Sequence, residues 1–498
     1  MIKNIEYILD KDFKLNLFNT MSQKKEQFIP IEDNKARMYC CGLTVYNYAH
    51  IGNLRKYIFD DILRRTLEFF DYNVVHQMNV TDIGHLESDA DEGEDKLEKE
   101  AKKRGEDVLA LARFYEKAFF DDLKKLNILM PHIISRATEH IDCMIDLIKK
   151  IEQNGYAYFS DGNLYFDTGK MKDYGKLARL DLESLKAGAR IEIDKSKKSP
   201  FDFVLWFTKS KFRNHILNWE SPWGEGFPGW HIECAAMSIK YLGQQFEIHT
   251  GGIDHIPVHH TNEIAEAEAA TGKDWVKYWM HCEFLVLDKE EKMSKSLGNF
   301  ITLNDLIKKV KNPLIYRFMC LNAHYRKKMI FSEKALYAAQ NGFWNLKEKI
   351  INEKEKIGEK LNLIESKIED TEFDIKNDEK DFELTRYCGE YIEQFINAIA
   401  DDLNTPEALA SIFNLLKDNS IPSFSKYACL LIFDRILGLN FKSFTRGKID
   451  EKQAELIKER DKARKEKNFE KADSIRKELE TQGVILQDTL DGTHYFVE

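Results

Sequence analysis

Two short stretches carry residue types that could handle a polyphosphate. At 291–299 the chain reads EKMSKSLGN, where Lys292 and Lys295 flank Ser294 and Gly298 offers a hinge. Two ammonium groups and a hydroxyl on one loop can hold a polyphosphate and neutralise charge in a phosphoryl-transfer transition state. At 50–53 the chain reads HIGN, opening a helical pattern. Free N–H groups at a helix N-terminus, with the helix dipole behind them, suit an anion, and Gly52 lets a ligand approach the backbone. Taken singly, each has a plainer reading: a solvated basic turn, and a capped loop with a hydrogen-bonded histidine. An exact KMSKS match arises by chance only about 10⁻⁴ times per chain of this length, so the pair is a strong joint signal.

A second chemistry is suggested by thiols. Cys40 and Cys41 run into Gly42. Neighbours on a strand point to opposite faces, so only one can meet a crevice, and Cys41 is nearer the edge where parallel sheets bind ligands. Zinc takes Cys, His and carboxylate ligands. His259 and Glu263 are four apart and share a helix face, and Cys234 precedes them. There is no C-x-x-C pair, so spacing alone is a weak zinc signal, and by itself it favours core cysteines and a surface histidine.

The elements that must position these groups follow from periodicity. KARMYCCGLTVY (35–46) reads as a buried strand, 56–72 as a helix with Ile58, Ile62, Leu63 and Leu67 apolar, and NVVHQMNVTDIG (73–84) as a second strand with its turn. Strand, helix, strand predicts a right-handed parallel unit. Residues 87–105 are a charge run, expected to be a solvated loop and helix. From about 126 to 220 the βα alternation stops, which predicts an inserted subdomain. It returns in QQFEIHTGG (244–252) and a helix over 260–272. Beyond about 300 the chain is chiefly helical. It ends in two helices, the second with Ala472, Ile475 and Leu479 on one face, and a hairpin turning at Asp491-Gly492.

Composition bounds the answer. A chain of 498 residues with 43% hydrophobic content can bury several structural units. A formal charge of −10 is evidence against a simple nucleic-acid coat protein, though not against RNA binding by a local patch. Eight dispersed cysteines make no disulfide framework, and neither a secretory signal nor a membrane-length apolar run is seen, so a reducing cytoplasm is expected.

Taken together, MYCCGLTVYNYAHIGN, NVTDIG, DFVLW, PGWHIECAAMS, HHTNEIA, KMSKS, DDLNTPEAL and the tail from ERDKAR to GTHYF resemble the cysteine branch of the class I aminoacyl-tRNA synthetases, in family order from about residue 15 to the end. The resemblance implies an α/β fold: a split Rossmann-like parallel-sheet catalytic domain with an insertion, then an α-helical bundle and a small C-terminal domain. The expected boundaries are 1–125 and 221–300 for the two catalytic halves, 126–220 for the insertion, 301–335 for a stem-contact linker, 336–445 for the bundle and 446–498 for an anticodon-binding domain.

By residue-for-residue match it also implies Cys41, Cys234, His259 and Glu263 as ligands of one zinc per chain, with His260, His255 and Cys40 as neighbours easily mistaken for them. Gly42, Thr44, Thr81 and Trp230 would surround cysteine. His50, Gly52, Asn53, Asp254, Lys292, Ser294 and Lys295 would hold ATP with Mg²⁺, and His50, Asn53, Lys292 and Lys295 would be catalytic. The implied reaction is ATP-dependent activation of L-cysteine to its adenylate and transfer to the 3′ end of tRNA(Cys), by a cytoplasmic monomer without an editing site. Arginines such as Arg460, Arg464 and Arg476 would help read unpaired anticodon bases, or else form helix-surface ion pairs. Three departures stand out: HIGN for the commoner HIGH, Thr261 where a carboxylate is usual, and TDIGHL after Thr81. Two alternatives are a cysteine–amino-sugar ligase of the same fold and a non-catalytic RNA-binding paralogue.

Overall fold

A computed structural model describes residues 13–83, 86–88, 92–180, 196–208, 215–287, 300–369, 387–489 and 492–498. The chain forms two compact units, one of residues 16–302 with 325–329, the other including 303–324 and 330–498. In the first unit the chain order is β1 (Lys35–Cys40), α1 (Ile51–Phe69), β2 (Asn73–Val80), β3 (Ile133–Arg136), α2 (Ile141–Gln153), β4 (Ala157–Ser160), β5 (Asn163–Phe166), β6 (Phe203–Phe207), β7 (Phe227–Pro228), α3 (Trp230–Leu242), β8 (Phe246–Gly252), α4 (His259–Thr271) and β9 (Val276–Cys282).

Five of these strands make one parallel sheet in the order β9-β8-β1-β2-β3. The chain starts at the centre, builds outward to β3, then returns to the other side of β1 for β8 and β9. That reversal opens a crevice beyond the carboxyl ends of β1 and β8, where doubly wound sheets bind ligands. The strands are largely buried on both faces, as parallel strands covered on both sides are; in NVVHQMNV only Asn73 is exposed. Between β3 and α3 the chain makes a four-stranded antiparallel sheet, β7-β6-β5-β4. Leu164, Phe166, Phe203 and Trp206 from it share one apolar core with Tyr39, Ile232, Phe246 and Trp279 of the parallel layer.

Two element ends differ from the periodicity. The first strand stops at Cys40, because Gly42 and its neighbours turn away to meet Asn79 and Thr81. Helix α1 begins at Ile51 rather than 56, because His50 and Asn53 form a capping box that satisfies its first N–H groups. The second strand ends at Val80, with its turn following as read from the sequence.

The second unit contains α5 (Leu314–Leu321), α6 (Glu333–Ile357), α7 (Gly389–Ala400), α8 (Thr405–Lys417) and α9 (Ser423–Leu437). It continues with α10 (Glu451–Lys465), α11 (Phe469–Thr481) and the hairpin β10 (Val484–Thr489) and β11 (Gly492–Val497). The turn residues 490–491 lie outside the described residues. Arg446 ties this end to α6 through Glu348, at 3.0 Å, and Glu355, at 2.6 Å. Among the described residues no helix is long and apolar enough to cross a membrane.

Candidate active site

The carboxyl ends of the sheet strands deliver the site. Residues just past β1, β2, β8 and β9 (Cys41, Thr81, Asp254 and Glu283) line one cavity of about 410 Å³. His50, Gly52 and Asn53 line it as well, as do Gly42, Thr44 and Trp230. The site residues anticipated from sequence, apart from those in the KMSKS loop and the deeper Cys234 and Glu263, therefore border a single space.

At one end, the ligand atoms of Cys41, Cys234, His259 and Glu263 lie within 4.8 Å of one another, all buried. Cys41 follows β1, its N–H still bonded to Thr250 O at 3.2 Å. Cys234 sits in the second turn of α3, and His259 and Glu263 are one turn apart on α4. His259 Nε2 is 2.6 Å from Glu263 Oε1, yet Glu263 Oε1 has no hydrogen-bond partner. The two atoms meet at contact distance without hydrogen-bond geometry, as two groups directed at one cation would. With two thiols beside them, the donor set fits zinc.

The electrostatics agree. Burial resists a charged imidazole, but Glu263 and Cys41 overcome it and push His259 up to about 10. Burial also opposes ionisation of Cys41, but the Cys234 thiol and the histidines His260 and His249 hold it well below the usual thiol range. Cys234 is pushed well up by burial and by Cys41.

A second group, Cys41, His249, His260 and Glu263, also meets within 4.8 Å. His249 Nε2 is 2.7 Å from Glu263 Oε2, and His260 Nε2 is 3.3 Å from Cys41 Sγ. Exposure to the cavity separates the two sets: Cys41 and His259 line it, whereas His249 and His260 do not. His260 is instead one link of a buried chain, its Nδ1 2.8 Å from His281 Nε2, whose Nδ1 meets Thr20 Oγ1 at 2.7 Å. Burial pushes it down to about 3.

His249, His281 and His231, the last 2.9 Å from His259, were not anticipated from sequence. Two sit on β strands and one on a helix, inside apolar runs where nothing in the spacing marks them. Lys56 is another such residue. It lines the cavity, donates to Cys41 O at 2.7 Å and pairs with Asp60 at 2.8 Å.

Trp230 stacks on His259 with centroids 4.0 Å apart, walling the thiol end. Opposite, Gly42 lies so close to β2 that a Cβ there would stand 1.7 Å from Asn79 O. No other residue fits. A Cβ on Gly252 would likewise fall 2.4 Å from Asp254 Oδ1.

At the end of the cavity lined by HIGN, His50 caps α1. Its Nδ1 accepts from Asn53 N, and Asn53 Oδ1 accepts from His50 N, both at 3.1 Å. The asparagine of HIGN thus spends its oxygen on the cap and keeps its Nδ2 as a donor. Phe300 packs edge-on against His50 at 5.5 Å. Thr261, the second departure, donates to Ile256 O at 2.8 Å. Of the third, Gly84 and His85 lie outside the described residues, as do Lys292, Ser294 and Lys295 of the KMSKS loop.

Residues 27–341 match the family described as tRNA synthetases class I (C) catalytic domain, residues 394–419 a DALR domain, and residues 446–496 a cysteinyl-tRNA ligase anticodon binding domain. A cysteine–tRNA ligase from Treponema denticola is 51% identical over 494 residues, covering 95% of this chain and 98% of that protein. One from Borrelia hermsii is 43% identical over 490 residues, covering 96% and 98%. The chain belongs to the cysteinyl-tRNA synthetase family. Its fold is that of the class I synthetases: Mycobacterium tuberculosis methionyl-tRNA synthetase, solved with methionyl-adenylate, superposes with a TM-score of 0.54 at 15% identity, covering 81% of this chain and 90% of that one. The cysteinyl-tRNA synthetase resemblance first seen in the motifs thus extends over almost the whole chain.

Proposed function

We propose that this cavity carries out both steps of a cysteine–tRNA ligase, the thiol end choosing the amino acid and the HIGN end holding the nucleotide. One observation carries the reading: two thiols, an imidazole and a carboxylate converge at one wall of a cavity whose other wall is a capped helix N-terminus. L-cysteine lies between Gly42, Thr44, Thr81 and Trp230, its side chain toward Cys41, Cys234, His259 and Glu263. Those four would hold one zinc per chain, whose chemistry favours a thiolate over a hydroxyl. Selection by chemistry rather than size explains how serine and alanine are refused without a hydrolytic second site.

A cysteine carboxylate oxygen then bonds to the α-phosphorus of ATP, which enters with Mg²⁺, and the bond to pyrophosphate breaks. The attacking carboxylate is already ionised, so no general base is required. His50, Asn53, Lys292 and Lys295 stabilise charge on the phosphates, Gly52 and Ser294 add close contacts, and Asp254 faces the adenosine. A terminal ribose hydroxyl of tRNA(Cys) next attacks the activated carbonyl, and AMP leaves. Residues 1–125 and 221–300 supply the catalysis and 126–220 the insertion. Residues 301–335 would touch the tRNA stem, 336–445 would form the tRNA-binding bundle, and 446–498 would read the anticodon. The enzyme would work as a cytoplasmic monomer.

Cysteine-dependent pyrophosphate exchange, measured with and without tRNA, tests this. Truncation after residue 445 should leave exchange nearly intact and sharply reduce charging of tRNA. If exchange fails with cysteine in the full chain, the reading is wrong; if both activities survive truncation equally, the tail is not an anticodon reader.

A further inference from the structure

Behind the cavity wall runs a chain of hydrogen bonds. Gly42 N donates to Asn79 Oδ1 at 2.7 Å, Asn79 Nδ2 donates to Thr81 Oγ1 at 3.2 Å, and Thr81 Oγ1 donates to Glu233 Oε2 at 3.0 Å. All three side chains are buried, and Asn79 and Thr81 also line the cavity. The backbone is joined over the same span. Val45 N donates to Thr81 O at 3.1 Å, and Thr81 N donates to Leu43 O at 3.3 Å.

The polarity of the chain is fixed at its Gly42 end. A backbone N–H can only donate, so Asn79 must turn its oxygen toward Gly42 and its NH₂ toward Thr81. Thr81 Oγ1 then receives a proton from Asn79 and has one proton of its own, which goes to Glu233. A hydroxyl so engaged can offer a further ligand only a lone pair. The cavity wall is thereby set as an acceptor beside Gly42, on the strand neighbouring the one that delivers Cys41. Such a group recognises an ammonium and has nothing for a ligand group that needs a donor.

We propose that Asn79 is a positioning residue that acts through Thr81, holding its hydroxyl as an acceptor for the α-ammonium of the amino-acid substrate. This rests on the cysteine reading above. The reacting atoms never touch Asn79. Its effect should appear in selectivity between ligands with and without an ammonium.

The test compares L-cysteine with 3-mercaptopropionate, which keeps the thiol and carboxylate but lacks the ammonium, by competition in the full-length protein. Thr81→Val, nearly isosteric, should weaken cysteine about 10- to 100-fold, the range for one hydrogen bond to a charged group, and leave 3-mercaptopropionate unchanged. Asn79→Ser should move the same ratio by about 10-fold through KM for cysteine, with kcat and bound metal retained. In the Thr81→Val background, Asn79→Ser should have no further effect on that ratio. Equal weakening of both ligands would mean a merely structural role for Asn79. A full effect of Asn79→Ser in the double variant would place its action on Gly42 instead of Thr81. Either result overturns the proposal. Failure of the wild-type protein to bind cysteine at all would instead overturn the functional reading on which it rests.

Discussion

Two clusters of ionisable side chains lie in different units and have opposite characters. At Cys41, Cys234, His259 and Glu263, ligand atoms crowd within 4.8 Å and leave Glu263 Oε1 without a hydrogen bond. At the chain's other end, Arg460, Arg464 and Arg476 converge on Asp488. Arg460 meets it with two N–H groups, one at 2.7 Å, and Arg476 at 2.6 Å, while Arg464 pairs with the same oxygen. The first cluster has the donor set of a cation site. The second brings its own counter-charge, and Arg460 NH1 also meets Thr493 Oγ1 at 2.8 Å. Convergence of charge alone therefore does not distinguish a site from a brace; the donor set and its place beside a cavity do.

The largest expected effect of breaking this contrast is at the thiols. Cys234→Ala should lose bound zinc and reduce cysteine-dependent exchange more than about 10³-fold, beyond the cost of one transition-state donor. Elemental analysis showing full metal in that variant would remove the ligand assignment. A third set of charges, Lys292 and Lys295, is expected to meet its counter-charge only when pyrophosphate separates. Lys295→Ala should then lower kcat for adenylate formation by about 10²–10³ while scarcely changing cysteine binding; an unchanged kcat would make the loop a surface turn.

The brace should answer in stability instead. Asp488→Asn removes the shared carboxylate of Arg460, which is almost wholly buried, and should cost about 2–4 kcal/mol in thermal or denaturant unfolding while exchange activity persists. The Arg460 guanidinium above all, with Arg476 and Arg464, holds Asp488 well below the usual carboxylate range. With the folded value depressed, the stabilisation is present above about pH 4 and fades as pH falls further. A variant as stable as wild type at pH 7 would show the trio to be incidental.

The smallest effect is a proton count. In the metal-free protein His259, raised to about 10, is protonated at neutral pH, and Cys234 is a thiol. Zinc uptake at pH 7 should release about two protons, and affinity should rise with pH. The sign for folding is the reverse: a raised imidazole contributes stability to the metal-free state below about pH 6.5, which is lost as pH climbs through 10. Calorimetry in buffers of different ionisation enthalpy reads the number.

The same contrast explains what was legible in the sequence. The parallel sheet could be read because NVVHQMNV and QQFEIHTGG are short stretches set in alternation with helical patterns, and the His259–Glu263 face because helical spacing is local. Gathering Cys41 to Cys234 required family motifs, since no local pattern joins residues 193 apart (234 − 41). The first strand was read past Cys40 because β-prone residues continue to Val45. Close contact with Asn79 and Thr81, invisible in the sequence, ends it. The α1 start was legible in HIGN, although the apolar spacing that marks the helix begins only at about 56. The tail arginines could be read either as anticodon contacts or as ion pairs, because their partner, Asp488, lies on a strand 28 residues beyond Arg460 (488 − 460), where no helical spacing points. His231, His249 and His281 are hidden by the apolar runs that bury them.

The insertion between β3 and α3 also has a consequence in time. β1 emerges early from the ribosome, but its neighbour β8 and the α4 ligands follow only after the whole antiparallel layer. Between Cys41 and Glu263 lie 222 positions (263 − 41), about 10–45 s of synthesis at 5–20 residues per second. During that interval the apolar edge of β1 lacks its partner strand and the Cys41 thiol lacks its future neighbours. The nascent chain must therefore wait, reduced and shielded, for its own far half to arrive.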